Sequence, residues 1–208
     1  VTAGFVVAVF ATALAAFLIG SVPFGYVIGR LFYQTDLRAE GSGNIGAMNA
    51  LRTLGKAGGA AVLLLDAIKG FVPVFFASAY FRGMQPVEAV VAAAAVLGHC
   101  FSPWLGWRGG KGVATSFGAI FGLSWPAGFV AVFGWIAGAL LTQYSSVGSM
   151  LGSALAPVAL WFFTGSPALT LYGVLAAAFI FYTHRENLAR LRSGTENPIR
   201  QLRKRRCR

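Results

Sequence analysis

Seven stretches of this chain, roughly residues 3–33, 58–81, 86–104, 112–123, 125–142, 147–164 and 167–183, run almost without charge. Nothing else in the sequence constrains the fold as strongly. About 20 apolar residues in a helix match the ~30 Å hydrocarbon core of a bilayer. In lipid only helices and closed barrels satisfy every backbone N–H and C=O. The chain is 57% apolar and only 11% charged, with a mean hydropathy of +0.69, against about 25% charged residues in soluble domains. An all-α integral membrane protein follows, and its 27 glycines suit helices that pack through small residues.

The first stretch would be about 47 Å long as one straight helix, so "GSVPFG" (20–25) is expected to kink or end it. Segment 112–123 is short enough for a half-helix. The following "LSWP" offers Ser124 as an N-cap and Pro126 in the first turn of a new helix. With that break there are about seven transmembrane helices, and the linkers 34–57, 105–111 and 143–146 share one side with the tail 184–208. That side collects Arg30, Arg38, Arg52, Lys56, Arg108, Lys111 and the nine basic residues from Arg185 to Arg208, fifteen of the seventeen in the chain. The positive-inside rule makes it cytoplasmic, with the N-terminus outside and the C-terminus inside. The expected organisation is one transmembrane domain over 1–190 and a basic cytoplasmic tail over 191–208.

The net charge of +11 is therefore an orientation signal and not a nucleic-acid footprint. The tail interleaves no aromatic residues with its charges, as a single-strand binder would, and a polybasic segment is instead attracted to an anionic leaflet. The start "VTAGFVVAVF" lacks the basic flank of a signal peptide and reads as a retained helix. Cys100 and Cys207 suggest neither a disulfide framework nor a metal site.

Two polar loops interrupt this apolar chain. In "EGSGNIGAMNALRTLGK" (40–56), Gly41, Gly43 and Gly46 let backbone amides converge, and Ser42, Asn44 and Asn49 add side-chain donors. Arg52 supplies a fork suited to phosphate, Lys56 adds charge, and a helix starting at "ALRTLGK" would add its positive dipole end. An ordinary flexible loop is the competing reading. In "GHCFSPWLGWRGGKGVATSFG" (98–118), Arg108 and Lys111 lie among Gly109, Gly110 and Gly112, just before a helix carrying Thr115 and Ser116. Leu105 and Gly112 occupy the places where a Walker A loop needs Gly and Ser or Thr, so ATP hydrolysis is not indicated. Two cation-bearing glycine loops on one side suggest a ligand with phosphate groups.

Asp66 and Lys69 lie at i,i+3 within an apolar run. Buried charges there cost at least ~2.5 kcal/mol each on insertion scales, which a mutual pair would reduce. Such a pair is either functional or a device for helix packing. His99 either orients the second loop or is a satisfied interfacial histidine. "YTHREN" (182–187) places His184 and Asn187 on one face at the cytoplasmic end of the last span, level with Ser145 and Ser146. The sequence has no Gly-x-Ser-x-Gly, and neither histidine has an aspartate five residues later. It also has too few carboxylates for a two-metal site. An alternative class is a small anion or phosphate-ester transporter, but the polar groups cluster on one face and no internal repeat is evident.

The blocks "GSVPFGYVIGR", "DLRAEGSGNIGAMNALRTLGK", "LLLDAIKG", "LGHCFSPWLGWRGGKGVAT" and "YTHREN" together resemble the bacterial acyl-phosphate:glycerol-3-phosphate acyltransferases of the PlsY type, in family order, from about residue 20 to 190. Met48 stands where some members carry threonine. The resemblance implies a multi-pass enzyme of the cell inner membrane with its active site on the cytoplasmic face. Acyl-phosphate and sn-glycerol 3-phosphate would be its substrates, and lysophosphatidic acid and inorganic phosphate its products. This is the first acylation of phospholipid synthesis. No metal or coenzyme and no nucleic acid is implied, and a soluble enzyme would supply the acyl-phosphate. Carried onto this chain, Ser42, Asn44, Lys111 and His184 would be catalytic. Gly41, Gly43, Gly46, Asn49, Arg52, Gly110, Ser146 and Asn187 would bind substrate, and Asp66, Lys69 and His99 would give support.

Overall fold

A computed structural model describes residues 2–199, and every regular element among them is helical. Two compact units divide the chain, Val1–Trp125 and Pro126–Arg208. In the second unit the last helix runs to Arg192. Residues 200–208 of the basic tail, Cys207 included, lie outside the described residues.

The first unit opens with α1 (Ala3–Ser21) and α2 (Phe24–Tyr33), separated at Val22 and Pro23. Proline has no N–H to continue the ladder, so the break falls where "GSVPFG" predicts it. A polar loop leads to the short α3 (Ala47–Thr53), then to α4 (Gly55–Tyr80) and, after a turn over 81–84, to α5 (Gln85–Cys100). The helix expected at "ALRTLGK" thus begins at Ala47 and is separate from α4. Gly55, at φ +84°, takes a left-handed conformation that stops α3 from running into α4. A 3₁₀ turn, Pro103–Leu105, precedes the second polar loop, which opens into α6 (Val113–Leu123). Because α4 and α5 are antiparallel neighbours, the loop before α4 and the loop after α5 share one end of this unit.

Packing inverts the pattern of a soluble protein. Large apolar side chains such as Phe32, Leu141 and Phe162 are more than three-quarters exposed, while Asp66, Lys69 and His99 are buried. Lipid is as apolar as leucine, so helices associate by close contact and polar bonds instead. Backbones meet at glycines: Gly20 and Gly98 join α1 to α5, and Gly70 and Gly118 join α4 to α6, each lying against a carbonyl of the facing helix with no room for a Cβ.

The helix α7 (Trp125–Thr142) follows an extended Ser124, so the break at "LSWP" is real. In the second unit, α8 (Ser145–Thr164) meets α7 where Gly138 and Gly148 touch. Ser166 caps α9 (Pro167–Thr183) by accepting from the Leu169 amide, and α10 (Arg185–Arg192) bends away from α9 by 56°. Among the described residues, five helical stretches are long and apolar enough to cross a membrane. There are six if α9 and α10 form one span, and α6 is a shorter apolar helix.

Candidate active site

The first polar loop is bonded largely to itself. Asn49, 2% exposed, donates through Nδ2 to the carbonyls of Leu37 (3.0 Å) and Glu40 (2.9 Å), and its Oδ1 accepts from the Ser42 amide (2.9 Å). The Gly43 amide donates to Glu40 O, and the Gly46 amide donates to Asn44 Oδ1 at 2.7 Å. The amides of Ser42, Gly43 and Gly46 are thus each bonded to a nearby oxygen within residues 40–49. The sequence pattern marks donors but not their nearest acceptors, and here the acceptors lie in the same loop. Gly41 and Gly43 adopt φ of +58° and +69°, and a Cβ on Gly41 would strike Asn49 Oδ1. What this folding presents outward is Ser42, exposed at the loop tip, with Asn44 half-buried behind it. Arg52 follows in the last turn of α3.

Asp36 braces the loop's entrance. Arg38 grips its carboxylate from Nε (3.0 Å) and Nη2 (2.7 Å), and Arg30 donates at 3.0 Å. Hydrogen bonding from the Arg38 guanidinium holds the Asp36 carboxyl down at about 2. Arg38 also lies 4.6 Å from the centroid of the Tyr26 ring. These two arginines are therefore engaged by Asp36 and Tyr26.

The second loop is held by the end of α5. The Gly109 amide donates to Cys100 O (2.9 Å) and the Gly110 amide to His99 O (3.1 Å). A Cβ on Gly110 would collide with the His99 imidazole. Gly112, at φ +83°, turns the chain into α6, and Lys111 is half-buried at this turn. Thr115 and Ser116 are fully buried one turn further on, so neither hydroxyl is presented at the loop. Beneath the loop, Lys69 Nζ lies 2.7 Å from Asp66 Oδ1, and His99 Nδ1 lies 3.6 Å from that oxygen.

In the second unit, Ser146 and Asn187 come together on a residue that sequence reasoning missed. Glu196 Oε1 accepts from Ser146 Oγ at 3.0 Å and from Asn187 Nδ2 at 2.7 Å, while Oε2 accepts from Arg190 Nε at 2.7 Å. Gly194, at φ +70°, returns the chain toward α8, where the Ile199 amide donates to Gln143 O. The available signal was that Glu196 is the one acid after Glu186 in a strongly basic tail. Burial alone would raise its pKa, but the bonds from Asn187, Arg190 and Ser146 and the arginine charge outweigh it and hold the carboxyl below its usual range. His184, 4% exposed, sits at the α9–α10 bend with Nδ1 2.8 Å from Ile180 O. A carbonyl can only accept, so Nδ1 carries a proton in that contact.

The shared role of Glu196 yields a prediction. Glu196→Ala leaves three donors without their acceptor and should lower unfolding stability in detergent by roughly 1.5–3 kcal/mol, the range for bonds to a charged group. Glu196→Gln should cost less. Because the native pKa is depressed, the carboxylate's stabilisation is complete above the unfolded value of about 4.3 and disappears as pH falls below it. Thermal unfolding of wild type and Glu196→Gln should therefore converge in acid. A gap that persists there would count against the ionic role.

These features define a helical membrane protein that presents arginine and lysine beside glycine-rich turns. A family model described as glycerol-3-phosphate acyltransferase matches residues 10–194. The glycerol-3-phosphate acyltransferase of Rhodopseudomonas palustris (strain HaA2) is 43% identical over 189 residues, covering 91% of this chain and 94% of that protein. That of Bradyrhizobium diazoefficiens is 46% identical over 184 residues, covering 88% and 91%. Among solved structures, PlsY (YgiH), an integral membrane glycerol 3-phosphate acyltransferase, matches in its glycerol 3-phosphate form with a TM-score of 0.88 at 36% identity, covering 92% of this chain and 95% of that one. Its lysophosphatidic acid form matches at 0.85 and 34%. The chain belongs to the glycerol-3-phosphate acyltransferase family.

Proposed function

We propose that this protein transfers a fatty acyl group from acyl-phosphate to the 1-hydroxyl of sn-glycerol 3-phosphate. The hydroxyl oxygen bonds to the acyl carbonyl carbon, the carbon–oxygen bond to phosphate breaks, and lysophosphatidic acid and inorganic phosphate leave. The observation that carries this reading is the family match over residues 10–194, a span that includes every candidate residue in both units.

The chemistry suits the residues. An acyl-phosphate is a mixed anhydride and already activated, so no covalent nucleophile is needed. The protein must hold two anions that repel each other and stabilise the oxyanion that develops at the carbonyl. In this reading Arg52 and Lys111 hold phosphate, and Ser42 and Asn44 serve the donor, with Asn49, Gly41, Gly43 and Gly46 shaping their loop. Gly110 gives Lys111 its approach. Ser146 and Asn187 receive the acceptor. The hydroxyl proton passes to the departing phosphate. His184 offers a second destination, and His184→Gln that retained substrate affinity but lost all turnover would favour it. The placement of fourteen basic residues in the linkers and tail, with Arg30 at their border, supports a multi-pass protein of the inner membrane with about seven crossings, its N-terminus outside and its site facing the cytoplasm. A soluble enzyme would supply the acyl-phosphate.

The test is purified protein in detergent, supplied with acyl-phosphate. Phosphate release that depends on glycerol 3-phosphate, with lysophosphatidic acid formed in equal amount, is the expected result. No release in detergent, together with glycerol 3-phosphate uptake into sealed vesicles, would replace the enzyme reading with the transporter reading.

A further inference from the structure

The ion pair in α4 touches more than its own helix. Lys69 Nζ, 2.7 Å from Asp66 Oδ1, also donates to Val22 O at 2.7 Å, the carbonyl at the α1–α2 break. Its ammonium lies 5.5 Å from the centre of the Phe24 ring, the first residue of α2. His99 Nδ1 stands 3.6 Å from the same Asp66 oxygen, beyond a good hydrogen bond. The far edge of that imidazole lies against Gly110, where no Cβ fits. The His99 backbone carbonyl meanwhile accepts from the Gly110 amide. Gly70, next to Lys69, packs on the Thr115 carbonyl of α6, the helix that the loop enters. Residues 66–70 thus touch the α1–α2 break and α6 directly, and reach the loop through His99.

A pair that served only to seat α4 against the α1–α2 break would not need the contact to His99. We infer that Asp66, Lys69 and His99 form a buried positioning device that sets the RGGKG loop, and through Gly110 the placement of Lys111. Asp66 and Lys69 fix one another. Their joint position fixes the imidazole edge, and that edge is the wall on which Gly110 rests. The three are positioning residues, and none of them touches substrate in this scheme. The kinetic arm of the test rests on the acyl-transfer reading, while the exchange arm does not.

The experiment uses the full chain in detergent. The double variant Asp66→Asn/Lys69→Met removes both charges at similar volume, so no lone charge is left buried. Amide hydrogen exchange is followed over residues 106–113 and, as a reference, over 148–160 in the second unit. The expected result is a folded protein whose exchange at Gly109 and Gly110 quickens about tenfold or more while 148–160 is unchanged. The kcat/KM for glycerol 3-phosphate should fall about 10- to 100-fold, the scale of a small misplacement of a binding group. His99→Gln, which leaves the ion pair intact, should reproduce the loop effect. It carries the test alone if the double variant does not fold. Unchanged exchange at 109–110 in a folded variant, faster exchange spread equally over both segments, or wild-type kinetics would each overturn the inference. If wild type shows no turnover with acyl-phosphate, only the donor assignment fails, because the exchange pattern needs no substrate.

Discussion

Lys111→Ala is expected to lower kcat/KM for acyl transfer by about 10²–10³-fold, the usual loss when one charge-stabilising donor is removed from a reaction centre. The residue follows Gly110, whose backbone is bonded to His99 O, and precedes the left-handed turn at Gly112. Its backbone is therefore determined independently of its side chain. The variant should fold, with an unfolding temperature close to wild type, since a half-buried loop lysine contributes little to helix packing. Lys111→Arg should recover only part of the rate, because a planar fork does not reproduce a compact ammonium. Steady-state kinetics in detergent decide the matter. A Lys111→Ala protein retaining half of the wild-type rate would remove this loop from the reaction.

The second large effect is structural. Gly118→Ala should destabilise the protein by about 1–3 kcal/mol or more, as overpacking does. Its Cβ would land on the Ala67 carbonyl, with the Ala67 carbon behind it. Both atoms are backbone, so no side chain can rotate away and α6 must back off from α4. A suitable control is Gly4→Ala in α1, where a Cβ meets nothing within 4 Å and alanine is the better helix former. Thermal unfolding of the two variants side by side is the measurement. Equal stability would mean that the α4–α6 contact is looser than the backbone distances indicate.

Particular elements separate what was legible from what was not. The apolar spans, the break at Pro23 and the break at Ser124 could be read directly, because hydropathy and proline act locally. The two glycine loops were recognisable for the same reason: glycine next to cations needs no distant partner to be noticed. The bonds of Asn49 within its own loop could not be read locally, since the acceptors at Leu37 and Glu40 come within reach only after the chain turns. Glu196 escaped notice because its meaning lies in Ser146, 50 residues earlier. Lys69 was visible as half of an ion pair, but its bond to Val22 spans 47 residues.

Composition and periodicity alone therefore determined that this chain is a bundle of apolar helices in a membrane, with cationic glycine loops between them. Those properties depend on how each short segment partitions between water and lipid. Only the tertiary structure decided which polar groups bond to one another across the chain. A hydrogen bond is satisfied by whatever acceptor the fold brings within about 3 Å, and long-range packing, not local sequence, brings it there.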